Sequence, residues 1–313
     1  MKLVIAEPLA VDAALLASLS RPFCEKGWTC QIYDTRPADQ ADLARRLADA
    51  DAAVIANYPC TAEALAAASR LSYLCVAFTG VDHVDTAYCK AHRIAVSNCA
   101  GYSTEAVAEL ALGMAVSLMR DLVQADRAAR SGGTNASFLG GELAGKKFGI
   151  IGTGTIGRRT AELARAFRCD VWGWSRTPRD EAIHYTDLDT LLASCDILSI
   201  HLPLTDRTRG LIGKEEIAKM KPGALLINTA RGPIVDYEAL AAALRSGQIG
   251  GAAVDVYEGE PPLPANHPLL SAPHCLLTPH LGFYSAEAMA RRATIVFENL
   301  EAWQAGAQKN VIC

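Results

Sequence analysis

Phe148-Gly149-Ile150-Ile151, followed at once by Gly152-Thr153-Gly154-Thr155-Ile156-Gly157, decides the fold. The first four residues read as a short apolar strand. The next six are G-x-G-x-x-G, and the stretch 156–167 behind them reads as a helix. A glycine fingerprint between a strand and a helix is the context that a dinucleotide-binding turn requires. Gly152 permits the tight turn, and Gly154 lets a pyrophosphate approach the backbone. Gly157 allows close packing of helix on strand. Thr155 and Ile156 stand at the helix N-terminus, whose free N–H groups face the anion.

The same rhythm extends both ways from this turn. Downstream, strands read at 170–174, 196–200, 224–228, 251–254 and 275–277, with helices at 188–193, 214–219 and 235–246. A proline-rich loop, 258–268, interrupts the series, and a last helix reads over about 285–303. Upstream, strands read at 2–6, 28–33, 53–56, 73–77 and 94–97, with helices at 11–19, 41–49, 62–69 and 85–91. Between the two series lies one long helical stretch, about 103–130, ended by the glycine-rich segment 131–141. Alternating strands and helices predict parallel sheets covered by helices, here two Rossmann-like doubly wound α/β halves. Such sheets bind ligands at the carboxyl ends of their strands.

Composition fits this class and excludes others. The chain has 313 residues, 50% hydrophobic and 20% charged, with a formal net charge of −4. That length suggests two domains. The absence of a basic excess argues against nucleic acid or an anionic membrane as partner. No apolar run is long enough to span a membrane, and the start (MKLVIAEP) reads as a first strand rather than a signal peptide. The ten cysteines are scattered, with no C-x-x-C pair. They fit buried, reduced thiols in a cytoplasmic protein, with no disulfide framework and no metal site expected.

The second strand of the dinucleotide half ends in Val171-Trp172-Gly173-Trp174, followed by Ser175-Arg176-Thr177-Pro178-Arg179. An NAD site places Asp or Glu here to read the ribose. An arginine beside hydroxyls pairs instead with a 2′-phosphate, so Ser175, Arg176 and Thr177 favour NADP(H). Asp180 and Glu181 lie a little too far along, but they keep NAD(H) open. Farther on, three consecutive strand ends supply Arg231 (in INTARG), the acids of Asp255–Glu260 (DVYEGE) and His280 (in LTPHLG).

These motifs carry a resemblance to the D-isomer-specific 2-hydroxyacid dehydrogenases. The matching stretches are 145–157 (GKKFGIIGTGTIG), 201–211 (HLPLTDRTRGL), 221–236 (KPGALLINTARGPIVD), 253–261 (AVDVYEGEP) and 277–282 (LTPHLG). FTGVDHVD (78–85) and VSNCAGYSTEAVAE (96–109) extend it over nearly the whole chain. The resemblance implies a substrate domain of 1–99 with 285–313 and a dinucleotide-binding domain of 100–284, with the active site in the cleft between them. It implies that Arg231 holds the carboxylate of a 2-oxo acid and polarises its ketone. His280 then protonates the forming alkoxide, and Glu260 orients the imidazole and keeps it protonated near neutrality. Glu258 is the competing carboxylate.

The backbone of Thr79, Gly80 and Val81 matches the loop that binds the substrate carboxylate. Asn57, Tyr58, Tyr102 and Tyr284 are further pocket candidates. Thr104, His201, Pro203, Thr208, Thr229, Ala230 and Asp255 fall along the implied cofactor channel. The implied reaction is hydride transfer between NADP(H) or NAD(H) and a small 2-oxo acid such as glyoxylate, hydroxypyruvate or pyruvate, in a homodimer formed through the 106–130 helix. Two alternatives stay open. One is a dinucleotide-sensing, corepressor-like binding protein; the other is a phosphite or formate dehydrogenase. The formate branch pairs its histidine with glutamine, and Glu260 speaks against it. Phe283-Tyr284-Ser285 resembles the D-lactate branch and Ala100–Thr104 the hydroxypyruvate reducers, so the substrate is left open.

Overall fold

Leu3, Val4 and Ile5 are buried on both faces of strand β1 (Lys2–Ile5), as an inner strand of a parallel sheet requires. The chain continues through α1 (Ala13–Glu25), β2 (Thr29–Ile32), α2 (Gln40–Leu47), β3 (Ala52–Ile55), α3 (Ala62–Ala66), β4 (Tyr73–Val76), α4 (Thr86–Ala91) and β5 (Ala95–Asn98). These strands form an all-parallel sheet in the order β2-β1-β3-β4-β5. The order reverses between β1 and β3, which makes that pair the switch point of the sheet. Asp12, Asp39, Thr61 and Asp85 begin the four helices, each accepting a backbone N–H three residues on.

The computed structural model describes residues 1–259 and 261–313. It divides into two units, Met1–Ser103 with Tyr284–Cys313, and Thr104–Phe283. The second unit runs through α5 (Thr104–Arg120), α6 (Leu122–Arg130), β6 (Lys147–Ile151), α7 (Thr155–Ala166), β7 (Asp170–Trp174), β8 (His184–Tyr185), α8 (Leu188–Ser194), β9 (Ile197–Ile200), α9 (Lys214–Lys219), β10 (Leu225–Asn228), α10 (Tyr237–Ser246), β11 (Gly251–Val254) and β12 (Cys275–Leu277). Its parallel sheet has the order β12-β11-β10-β9-β6-β7-β8, reversing between β6 and β9. The chain then returns to the first unit as α11 (Ala286–Gln304), capped by Ser285 and burying Met289, Val296, Phe297 and Leu300.

Four expectations need correction. The single helix over 103–130 is two, because Asp121 takes a left-handed backbone (φ 49°) and separates α5 from α6. The helix expected over 11–19 starts later, on the Asp12 cap, and runs past Pro22 because Phe23 anchors its last turn in the core. The short strand β8 had no expected counterpart. The cysteines are all free, but Cys24 is exposed and lies 3.6 Å from the part-buried Cys30, sulfur to sulfur. Among the described residues, no helix is long and apolar enough to cross a membrane.

Candidate active site

The glycine turn sits at the switch point of the second unit's sheet. Gly152 has φ +100°, and a Cβ there would meet the His201 carbonyl oxygen at 2.8 Å. A Cβ on Gly157 would lie 2.0 Å from the Gly152 carbonyl oxygen, so only glycine lets α7 pack this closely. Nothing lies within 4 Å of the Cβ position of Gly154, which leaves the open approach that a pyrophosphate needs. Gly154 caps α7 without a side-chain bond, and Thr155 and Ile156 follow at the helix N-terminus. The residues present therefore fit a dinucleotide at this turn. A second observation agrees: the buried Thr229 hydroxyl has no hydrogen-bond partner among the described residues. A buried hydroxyl of this kind has a hydrogen bond to give to a ligand or to water.

At the end of β7, Ser175 is part-buried and Arg176 and Thr177 are exposed. Asp180 is turned to other work. It lies 3.7 Å from the Arg165 guanidinium and accepts from the Ala182 N–H. Tyr185, from the unexpected β8, donates to Thr153 Oγ1 at 3.0 Å and braces this corner. Thr208 Oγ1 donates to the Pro203 carbonyl at 2.7 Å, knotting the loop after β9.

His201, part-buried just after β9, lies 2.9 Å through Nε2 from Ser199 Oγ. Burial pushes its imidazole down from 6.5 to about 4, so it is neutral in the folded protein near neutral pH. The unfolded chain takes up this proton first on acidification. Stability from this group is therefore complete above about pH 6.5 and is lost as pH falls toward 4, by up to about 3 kcal/mol. His201→Gln should remove about 2 kcal/mol of the stability lost between neutral pH and about pH 4.5, read by urea unfolding. An unchanged acid loss would place the titration elsewhere.

Neighbouring strands β10, β11 and β12 end side by side. At the end of β10, the fully buried Asn228 donates through Nδ2 to the Arg231 carbonyl and to the Tyr237 hydroxyl, both at 3.0 Å, while its Oδ1 accepts from the Ala230 N–H. Tyr237 passes the support on by donating to the Val256 carbonyl at 2.6 Å. A Cβ on Gly232 would lie 2.0 Å from the Tyr257 carbonyl carbon, so the Arg231 loop is pressed against the β11 end. Arg231 itself is part-exposed and donates from Nη1 to the Ala230 carbonyl.

Past β12, His280 is part-exposed, and its backbone is left-handed at φ 58°. A bulky residue holds such a conformation only when its surroundings fix it. Asp255, fully buried at the end of β11, supplies that hold. Its carboxylate accepts from Thr278 Oγ1 at 2.6 Å and from the Leu281 and Gly282 N–H groups at 2.7 Å each. Burial raises the Asp255 carboxyl, and these three donors oppose the rise. A Cβ on Gly282 would meet Asp255 Oδ2 at 2.9 Å. The His280 ring packs edge-on against Phe283, with centroids 5.1 Å apart.

Glu260 lies outside the described residues. Its competitor Glu258 is exposed, and its carboxylate lies 3.3 Å from His267 Nε2.

The first unit carries its candidates at the ends of β3 and β4. Asn57 and Tyr58 are part-buried; Thr79 is exposed, and Gly80 and Val81 are part-buried. Asn98, at the end of β5, donates to the Thr79 carbonyl at 2.7 Å and holds this turn. Tyr102 is only 1% exposed, packed against Phe78 and the Arg292 guanidinium. Tyr284 is exposed. Thr104 opens α5, part-exposed. Sequence reasoning missed Asn228, Tyr237 and Asn98, and it gave Asp255 a cofactor contact without its bonds to the His280 loop. An Asn closing an apolar strand was the one available signal, seen at both Asn98 and Asn228.

A sequence profile described as "D-isomer specific 2-hydroxyacid dehydrogenase, NAD binding domain" matches residues 112–282. A glyoxylate reductase of Thermofilum pendens is 40% identical over 276 residues, covering 84% of this chain and 81% of its own. A glycerate dehydrogenase of Methylorubrum extorquens is 38% identical over 280 residues, 87% and 88% of the two chains. Among solved structures, an acyclic imino acid reductase in complex with NADPH and D-Arg superposes with a TM-score of 0.91 at 30% identity, covering 100% of both chains.

Proposed function

Because this chain belongs to the D-isomer-specific 2-hydroxyacid dehydrogenase family, oxidoreductases acting on the CH–OH group with a nicotinamide dinucleotide, we propose that it reduces glyoxylate or hydroxypyruvate with NADPH. The observation that carries the reading is the fixed presentation of Arg231 and His280 from the ends of β10 and β12, the strands on either side of β11, each loop braced by buried polar groups. Names of relatives, a glyoxylate reductase and a glycerate dehydrogenase, support the substrate class.

The bound dinucleotide supplies the hydride. Gly152, Gly154, Thr155, Ile156 and Gly157 would cradle its pyrophosphate, and Thr229 and Ala230 would line its path. Arg231 offers a planar fork of donors to the carboxylate and ketone of the 2-oxo acid. The backbone N–H groups of Thr79, Gly80 and Val81 form a second anion-binding turn for that carboxylate. His280 gives its proton to the carbonyl oxygen as the alkoxide forms, and takes it back in the reverse reaction. Glu260 is the acid that we assign to orient the imidazole. The D-configuration follows from the family: NADP⁺ reduction should proceed with D-glycerate and not with L-glycerate. Equal rates would contradict the assignment.

Preference for NADP(H) rests on Arg176 beside Ser175 and Thr177, on the commitment of Asp180 to Arg165, and on the NADPH-bound structural relative. Arg176→Ala should raise Kd for NADPH by about tenfold or more while leaving NADH nearly unchanged, as loss of one charged contact to a phosphate requires. Equal losses, read by fluorescence titration, would remove Arg176 from that role.

A homodimer is part of the proposal. Helix α6 buries none of its residues, and Leu122, Val123 and the nearby Leu139 are exposed. A second copy of this chain would cover that apolar stretch. Sedimentation should show a dimer, and Leu122→Glu a monomer; a monomeric wild type overturns it. The free thiols fit a cytoplasmic setting.

A further inference from the structure

The switch point of the first unit's sheet holds a buried carboxylate with no part in the chemistry above. Glu7 stands two residues past the end of β1 and is only 1% exposed. Its Oε1 accepts from the Ala56 N–H at 2.6 Å, and both of its oxygens accept from the Tyr58 N–H at 3.2 Å. On the other side of the same turn, His83 Nε2 lies 2.8 Å from the Ala56 carbonyl. The turn after β3 is therefore gripped from two directions.

Glu7 is itself held in place. The Arg46 guanidinium, buried and paired with Asp42 at 2.8 Å, donates to the carbonyl of Ala6 at 2.8 Å. The Ala6 N–H donates to Val54. The positive charges of Arg36 and Arg292 face the carboxylate, and burial raises its carboxyl against them and the backbone donors. Burying a carboxylate is costly unless its oxygens are matched, and here the match is to one turn alone among the contacts above. An apolar side chain would fill this volume without that cost, so the charge is explained by what it fixes.

We propose that Glu7 is a positioning residue: its carboxylate sets the backbone of Ala56–Tyr58 so that Asn57 and Tyr58 present themselves to the 2-oxo acid. The inference rests on the proposed reading of Asn57 and Tyr58 as substrate contacts. Glu7 touches neither substrate nor cofactor. Its effect is to keep a turn preorganised that otherwise has to be ordered each time substrate binds.

The test compares Glu7→Gln, which keeps the shape but turns one acceptor into a donor facing the Tyr58 N–H, with Glu7→Asp, which keeps both acceptors and shortens their reach. Each is measured alone and combined with Asn57→Ala, using hydroxypyruvate and NADPH on the full chain. Expected is a rise in KM for the oxo acid of about tenfold in both variants, with kcat and the Kd for NADPH within about twofold of wild type. Combined with Asn57→Ala, the effect should be less than additive, because both changes act on one contact.

Three results overturn the inference. In the first, Tm falls while KM stays unchanged in the folded variants, which leaves Glu7 a purely structural role. In the second, the effects of Glu7→Gln and Asn57→Ala are fully additive. In the third, Asn57→Ala and Tyr58→Ala are themselves without effect on kcat/KM; then the reading of the turn as a substrate contact fails first, and the failure is visible in those single variants.

Discussion

Replacing His280 by Ala lowers turnover of the 2-oxo acid by about 10²–10⁴-fold while NADPH binding survives. The expectation follows from where the residue stands. His280 projects from the carboxyl end of β12 on a left-handed backbone, and the buried Asp255 takes the hydrogen bonds that fix the loop. The cofactor turn lies elsewhere, on β6 and α7, so removing the imidazole leaves the dinucleotide site intact. Asp255→Asn should mimic part of the loss without touching the imidazole. An amide cannot accept all three of the donors from Thr278, Leu281 and Gly282, and the loop then loses its fixed conformation. A His280→Ala enzyme with wild-type-like turnover would remove the imidazole from the mechanism.

Arg231 carries the second large effect. Arg231→Ala should lower kcat/KM by about 10²–10⁴-fold, since two charge-assisted hydrogen bonds to a carboxylate are lost together at about 1.5–3 kcal/mol each. Arg231→Lys should recover only a small part. It keeps the charge but loses the planar fork, and it also loses the guanidinium bond to the Ala230 carbonyl that orients the side chain. Steady-state kinetics with both variants separates charge from geometry. If Lys serves as well as Arg, the bidentate role is wrong.

Much of this was legible in the sequence because it depends on short-range rules. The glycine turn declares itself by spacing, and Gly157 is needed because the Gly152 carbonyl lies where its Cβ would be. Strand ends at Asn228, Val254 and Leu277 were placed within a residue, since buried parallel strands are short unbroken apolar runs. Illegible features depend on distant partners. Glu7 meets a turn 49 and 51 residues away, and Asp255 one 26 and 27 residues on. Neither separation leaves a period in the sequence. The break at Asp121 is a single left-handed residue within a stretch of good helix formers, so propensity ran straight through it. The packing of Tyr102 against Phe78 is likewise a contact that no motif announces.

The central claim is that this chain is an NADPH-preferring reductase of small 2-oxo acids, and one assay addresses it directly. NADPH and NADH are each offered with glyoxylate, hydroxypyruvate, pyruvate, phenylpyruvate and branched-chain oxo acids, and loss of the reduced nicotinamide's absorbance is followed. The account predicts turnover with glyoxylate or hydroxypyruvate, with a higher kcat/KM for NADPH than for NADH. Silence with every pair, in protein shown by fluorescence to bind the dinucleotide, would contradict it.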